Sequence, residues 1–195
     1  MMMIPRPTGP LRILNQTALH ARLRFRCDGF PIWDTWIEAG SNLAVPNPNA
    51  GDIMVSTALV DPVTNVAYTV PSRISRKSVR LVAKMFFAAG AGSFSVDQEP
   101  FDQAGQVGLL NLTSTDLRFL FRFPDSPFSL STVVAPQAEQ ILGFTTLDVS
   151  ATVDGITSAA TPIKSWSSDV VIGIDYQNGQ KFPQMKISAH ESNGL

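Results

Sequence analysis

The sequence predicts an all-β chain: two tandem, related antiparallel β-sandwich units packed together. Three observations predict it. The first is a stretch written twice. Leu14, Asn15, Thr17, Arg22, Phe25 and Arg26 meet Leu110, Asn111, Thr113, Arg118, Phe121 and Arg122 at one constant spacing. The second is period-two alternation of apolar and polar residues, the signature of a strand with one face in a core and one in water. The third is the run of turn signals (Asp28-Gly29, Asp154-Gly155, Asn178-Gly179) that divides the chain into short strands. The expected layout is an arm at 1–10, a first sandwich repeat at 11–99, a connector at 100–107, a second repeat at 108–190 and a tail at 191–195.

Taken in order, the proline-rich 1–10 suits an extended arm. Leu11–Leu14 opens the first repeat, and a turn at Asn15-Gln-Thr17 leads into His20–Cys27. There Leu23, Phe25 and Cys27 alternate with Arg22, Arg24 and Arg26. Trp33–Glu38 is the next strand, with a turn at 39–42 and a proline-bearing loop at 45–51, since proline cannot donate to a central ladder. Ile53–Val60 and Val66–Val70 form a hairpin across Asp61-Pro-Val-Thr-Asn65. After Pro71, Ser78–Phe87 alternates again, and Ser93–Asp97 closes the repeat. The second repeat predicts strands at Gly108–Asn111, Leu117–Phe123, Phe128–Ala135, Gly143–Val153, Val170–Tyr176 and Gln184–Ala189. Its matches to the first continue with small gaps: Val60-Asp61 with Val153-Asp154, Pro71 with Pro162, Val79 and Leu81 with Val170 and Ile172, Phe94-Ser95 with Ile187-Ser188. Ala135–Leu142 is the one short stretch that favours a helix.

Composition narrows the function classes. Charged residues make up 16% of the chain, below the roughly 25% of ordinary soluble domains, which fits a Ser/Thr-rich β surface or one partly hidden in an assembly. The net charge of −1 argues against bulk nucleic-acid binding. Cys27 is the only cysteine, so an internal disulfide and a thiolate metal cluster are excluded; its parity with Leu23 and Phe25 marks a buried, inert thiol. Residues 1–10 lack the apolar run of a signal peptide, which predicts a cytoplasmic protein or one exported without a cleaved signal.

The candidate site is built from cations and tryptophans. Arg22, Arg24 and Arg26 share one strand face, and Arg76, Arg80 and Lys84 share one face of a later strand. If those strands are neighbours, six cations gather on one sheet and call for an anionic partner, because opposed like charges repel. Trp33 and Trp36, three apart on a strand, point to opposite faces, so one of them is exposed for stacking on a sugar ring or sitting in a headgroup layer. The alternative for both features is structural: a solvated face with acids interleaved, and a tryptophan filling an interface. By the sequence match, Ser129 and Thr132 stand where the first repeat has these tryptophans. Asn15-Gln-Thr17 and Asn111-Leu-Thr113 fit the glycosylation pattern, yet Asn and Thr at a strand end are ordinary turn chemistry. Asp28, Asp34 and Glu38 match no known calcium loop. His20 and His190 stand without a nucleophile, so no catalytic residue, cofactor or metal is expected.

The opening pattern of each repeat (short strand, Asn-x-Thr, long alternating strand, with a Gly40-Ser41 turn in the first) resembles in outline the small β-sandwich units of aegerolysin-type toxins. The likeness rests on no diagnostic motif and assigns no family. What it implies is a toxin-like or defence component. Three functions follow from the sequence. The first is a non-enzymatic binding module for a glycan or anionic lipid surface. The second is a self-associating structural subunit of capsid, coat or surface-layer type. The third, an enzyme with a cleft between the repeats, is disfavoured.

Overall fold

The computed structural model describes residues 10–46, 52–75, 78–88, 91–144, 146–164, 168–177 and 180–189. Most of the arm, Arg76, Trp166, the Asn178-Gly179 turn, His190 and the tail lie outside them. The described residues are all-β, with no helix. Seventeen strands follow in order: β1 (Leu11–Asn15), β2 (Ala21–Cys27), β3 (Phe30–Ile37), β4 (Asn42–Val45), β5 (Ile53–Val60), β6 (Ala67–Ile74), β7 (Ser78–Ala88), β8 (Ala91–Pro100), β9 (Gln106–Asn111), β10 (Leu117–Arg122), β11 (Ser129–Val134), β12 (Glu139–Gly143), β13 (Leu147–Val153), β14 (Ile156–Thr157), β15 (Thr161–Pro162), β16 (Ser168–Gln177) and β17 (Gln180–Ala189). The Ala135–Leu142 stretch is a turn leading into β12; Gln137 sits at φ 56°, in the left-handed region that interrupts a helix.

The chain divides into two compact units, and they are not the two expected repeats. The first unit takes Met1–Pro48, Asp125–Pro127 and Thr146–Leu195; the second takes Asn49–Pro124 and Phe128–Thr145. The first therefore holds β1–β4 with β13–β17, and the second holds β5–β12. Within the first unit the sheets run β17-β16-β1-β4 and β14-β13-β2-β3, with β15 also on β13. Within the second they run β8-β7-β9-β12 and β6-β5-β10-β11. These are one diagram drawn twice. β1 lies parallel to β16 and antiparallel to β4, as β9 lies parallel to β7 and antiparallel to β12. β2 lies between β13 and β3, as β10 lies between β5 and β11. The four opening strands of each expected repeat thus pair with the closing strands of the other. The expected boundaries at 11–99 and 108–190 give way to this exchange because the edge a half must find is offered equally by either copy.

Pairing also corrects the sequence match in two places. Asn15 faces Ile172 and Asn111 faces Ala83, so Ile172 corresponds to Ala83, two residues beyond Leu81. Phe25 faces Trp33 and Phe121 faces Leu130; Arg22 faces Trp36 and Arg118 faces Val133. Trp33 and Trp36 therefore correspond to Leu130 and Val133, not to Ser129 and Thr132.

Each unit is sandwich-like, with the inward residues of its two sheets forming a core. Leu11, Ile13, Leu23, Phe25, Val149, Val170 and Ile172 are sealed from solvent in the first unit, and Leu81, Leu109, Leu117, Phe119 and Phe121 in the second. Each fully buried aliphatic or aromatic side chain contributes about 1.5–3 kcal/mol of transfer free energy. Pro71 lies inside β6, facing Ser56, and is tolerated there because β6 is an edge strand.

One end of each sandwich is fastened by the Asn-x-Thr motif. Asn15, 1% exposed, donates from Nδ2 to the carbonyls of Leu19 (2.9 Å), Ile37 (3.3 Å) and Glu38 (3.0 Å). Its Oδ1 accepts from the Thr17 amide at 3.1 Å and the Thr17 hydroxyl at 2.8 Å. Asn111, fully buried, repeats every contact: Thr115 (2.8 Å), Val134 (2.9 Å) and Ala135 (3.0 Å) accept from Nδ2, and Thr113 donates twice to Oδ1. Two amide hydrogens serve three carbonyls, so one is shared. Each Asn joins the end of a strand in one sheet to the end of a strand in the facing sheet, and a glycan on either would break the clasp.

Two outcomes follow for the fold. Asn111→Ala removes five hydrogen bonds at one buried point and leaves the Thr113 amide without its acceptor, and is expected to cost about 3 kcal/mol, read from denaturant unfolding. The segment 49–145, which spans the whole second unit without a chain break, is expected to fold alone with a cooperative melt and β-type circular dichroism; a non-cooperative melt would show that the unit needs the rest of the chain.

Candidate functional site

The outward face of the sheet β14-β13-β2-β3 gathers the most chemically capable side chains. Its geometry begins at Asp28-Gly29, where φ values of 46° and 86° make a tight turn of the kind hairpins favour. From that turn Cys27 faces Phe30 and Arg26 faces Pro31, but a bulge then shifts the register so that Phe25 faces Trp33. Ile32, the extra residue, turns inward and is 5% exposed. Beyond the bulge, Arg24 faces Asp34 and Arg22 faces Trp36.

The two tryptophans part company as their spacing requires. Trp33 is half-buried and stacks on Phe25 with ring centroids 5.2 Å apart. Trp36 is 65% exposed. Beside it, Arg22 forms a fork on Asp34, with Nε donating to Oδ1 at 2.8 Å and Nη2 to Oδ2 at 2.6 Å; two parallel bonds fix the guanidinium plane. Arg24 adds a looser approach to Asp34 at 3.7 Å. On the other side of β2, Thr152 faces Arg22 and Asp148 faces Arg26, and the Thr152 hydroxyl is 2.8 Å from that of Thr157. The result is an exposed indole next to a fixed array of donors and acceptors.

Arg22 holds the Asp34 carboxyl below the usual carboxylate range, first through its hydrogen bonds and then, with Arg24, through charge; partial burial opposes this. The Arg22 guanidinium is raised by the same contacts.

The expected gathering of six cations does not occur. Arg22, Arg24 and Arg26 lie on β2 in the first unit, whereas Arg80 and Lys84 lie on β7 in the second; Arg76 is outside the described residues. The repeat that carries both strands puts them in different units, so they are never sheet neighbours. Arg80 pairs with Glu139 at 2.8 Å and lies over the Phe101 ring at 5.1 Å. Gly108 leaves room for this stack: a Cβ there would stand 3.2 Å from Glu139 Oε1. Lys84 pairs with Asp97 at 2.9 Å.

Other sequence candidates disperse. Asp28 accepts from the Thr146 amide at 3.1 Å while Asp34 is held by Arg22, so the pair does not form a calcium site with Glu38; among the described residues no three metal-binding side chains converge. His20 is exposed and Cys27 is buried. In the second unit a groove of about 810 Å³ is lined by Leu59, Val60, Thr115, Asp116, Arg118 and Val133, among others. Val133 there holds the register position of Trp36. Asp34, Asp148 and Thr152 were not singled out as ligand contacts from sequence. Asp34 was legible in principle, standing two residues before Trp36 and so on its face; Asp148 and Thr152 arrive from a strand more than a hundred residues away.

The fold and this face define an all-β, sandwich-like protein with an open aromatic and polar sheet surface. Comparison with protein-family models, curated proteins and solved structures finds no match.

The Asp34 clamp carries a sign. A carboxyl whose folded pKa lies below its unfolded value adds stability above the ordinary carboxylate range, and loses it as pH falls through the lowered folded value. The stability difference between the native chain and Asp34→Asn is therefore expected to be largest near neutrality and to shrink below about pH 4. Acid unfolding of the two proteins side by side checks it; a difference that grows on acidification would refute the clamp.

Proposed function

We propose that this chain is a non-enzymatic binding module that recognises a glycan on the outward face of β14-β13-β2-β3. The observation that carries the reading is Trp36, 65% exposed and flanked in register by the Arg22–Asp34 fork. A large exposed indole on a flat strand face has no role in the core. Its ring offers a stacking surface to the C–H face of a sugar, and the fork offers donors and an acceptor that are already immobilised. Immobilisation matters because each ordered side chain would otherwise cost about 0.5–1.5 kcal/mol on binding.

Charge favours a neutral sugar over an anionic lipid surface. Arg22 and Arg24 share Asp34, and Arg26 faces Asp148, so the face holds little of the uncompensated positive charge a polyanion would seek. The same reading includes a tandem internal duplication, supported by the shared pairing diagram and the matching Asn-x-Thr clasps. Only the first unit carries the tryptophan, which makes the binding single-sited.

Titration of tryptophan fluorescence against a panel of neutral oligosaccharides tests the reading. The native chain is expected to respond to at least one of them, and Trp36→Ala to lose about tenfold or more in affinity, as an aromatic anchor does. Silence across the panel, with a response to anionic vesicles instead, would replace the glycan with a lipid headgroup.

A further inference from the structure

A hairpin in the second unit has a composition that its fold does not ask for. β7 pairs with β9 only from Ser78 to Ala83, whereas its pairing with β8 continues to Ala88↔Ala91. The ribbon Lys84–Ala88 with Ala91–Ser95 therefore extends past its sheet by five residues, about 16 Å at the rise of a strand. The sequence from Met85 to Val96 carries no charge and no amide side chain. Phe86 is 55% exposed. Met85 and Phe94 face each other across the ribbon and are half-buried; Met85, next to Phe86 in the chain, is on the opposite ribbon face. Leu112, 42% exposed, joins them near the base, where its amide bonds to the Ala83 carbonyl at 2.9 Å.

The corresponding hairpin of the first unit is mixed in composition. β16 pairs with β1 only as far as Ile172, and the ribbon beyond carries Asp175, Lys181 and Gln184 beside Ile174, Tyr176 and Phe182, with Gln184 donating to Asp175 at 2.7 Å. The same place in the diagram there holds charges and amides that the β7–β8 ribbon lacks.

We infer that the β7–β8 hairpin is a membrane anchor that seats Phe86, Met85, Phe94 and Leu112 in the interfacial layer of a lipid bilayer. Three features select a bilayer over a protein partner. Large apolar side chains stand on both ribbon faces, Phe86 on one and Met85 with Phe94 on the other, and a protein surface covers one face while lipid surrounds both. The apolar stretch is bounded at its base by an ion pair, Lys84 with Asp97, which marks a water line. That pair is internally neutral, so binding rests on apolar burial and not on anionic headgroups. Depth is limited by the backbone: the outer edges of a two-stranded ribbon have unpaired groups that hydrocarbon cannot satisfy, so the hairpin sits in the interface and does not span.

The test is co-sedimentation of the full chain with vesicles of pure phosphatidylcholine, which carry neither glycan nor net charge. The native chain is expected to partition onto them, with little change in high salt, and Phe86→Glu to lose about tenfold, the worth of one large apolar side chain. Tyr176→Glu, on the other hairpin, and Trp36→Ala are expected to bind as the native chain does. No partition of the native chain, equal binding by Phe86→Glu, or loss of binding in salt would each overturn the anchor. So would light scattering showing a dimer that Phe86→Glu dissolves, since the hairpin would then cover a second copy of this chain.

Discussion

Everything in this fold is arranged around a buried asparagine that has to find three carbonyls. Asn15 and Asn111 each lie at the end of a strand in one sheet and reach the end of a strand in the facing one. An amide in that position is costly unless every donor and acceptor is matched, so the turn that follows, the entry of the next strand and the exit of the third are all held to one geometry. Thr17 and Thr113 complete the match from two residues away. The outcome is a clasp that fixes both the separation and the register of the two sheets at that end.

Because both clasps belong to opening halves, those halves are equivalent units of construction. β1–β4 and β9–β12 present the same parallel edge, the same antiparallel edge and the same clasp. The closing halves β13–β17 and β5–β8 present the matching ones, down to the amide of Gln16 on the Ile172 carbonyl and that of Leu112 on the Ala83 carbonyl, each at 2.9 Å. The backbone pairing pattern is then the same in both units, while the side chains that meet across it differ, as Arg26 faces Asp148 where Arg122 faces Met54. The chain adopts the exchanged solution, in which the second unit lies within 49–145, interrupted only by Asp125–Pro127, and the first is drawn from the flanking segments.

The two units differ most on surfaces the core does not constrain. Inward positions are mostly apolar in both units, as with Leu23 and Phe119 or the two valines Val149 and Val55, an exception being Thr57, fully buried where the first unit has Ala151. Some outward positions keep their chemistry, as Arg22 and Arg26 do with Arg118 and Arg122, and others change it: the indole of Trp36 against Val133, and Phe86 of the β7–β8 ribbon against Asp175 of β16–β17. Surfaces that can vary without cost to the core are where recognition accumulates, and the two proposed contacts, one aromatic and polar, the other apolar, occupy such surfaces on different units.

Alternation alone determined most of the strands, though not β4 or β12, and the fact that one tryptophan of the pair had to be outward, because residue parity is a local property of an extended chain. The match between Asn15 and Asn111 was likewise legible, since both keep the same neighbours. Tertiary structure decided the rest. A regular hairpin from Asp28-Gly29 would have placed Trp33 opposite Arg24 and turned Trp36 inward; the bulge at Ile32 reverses this, and a bulge answers to packing against the facing sheet, not to local propensity. Which half pairs with which was also beyond the sequence, since the backbone edges of the two halves offer the same pairing pattern, and that choice separated the cations of β2 from those of β7.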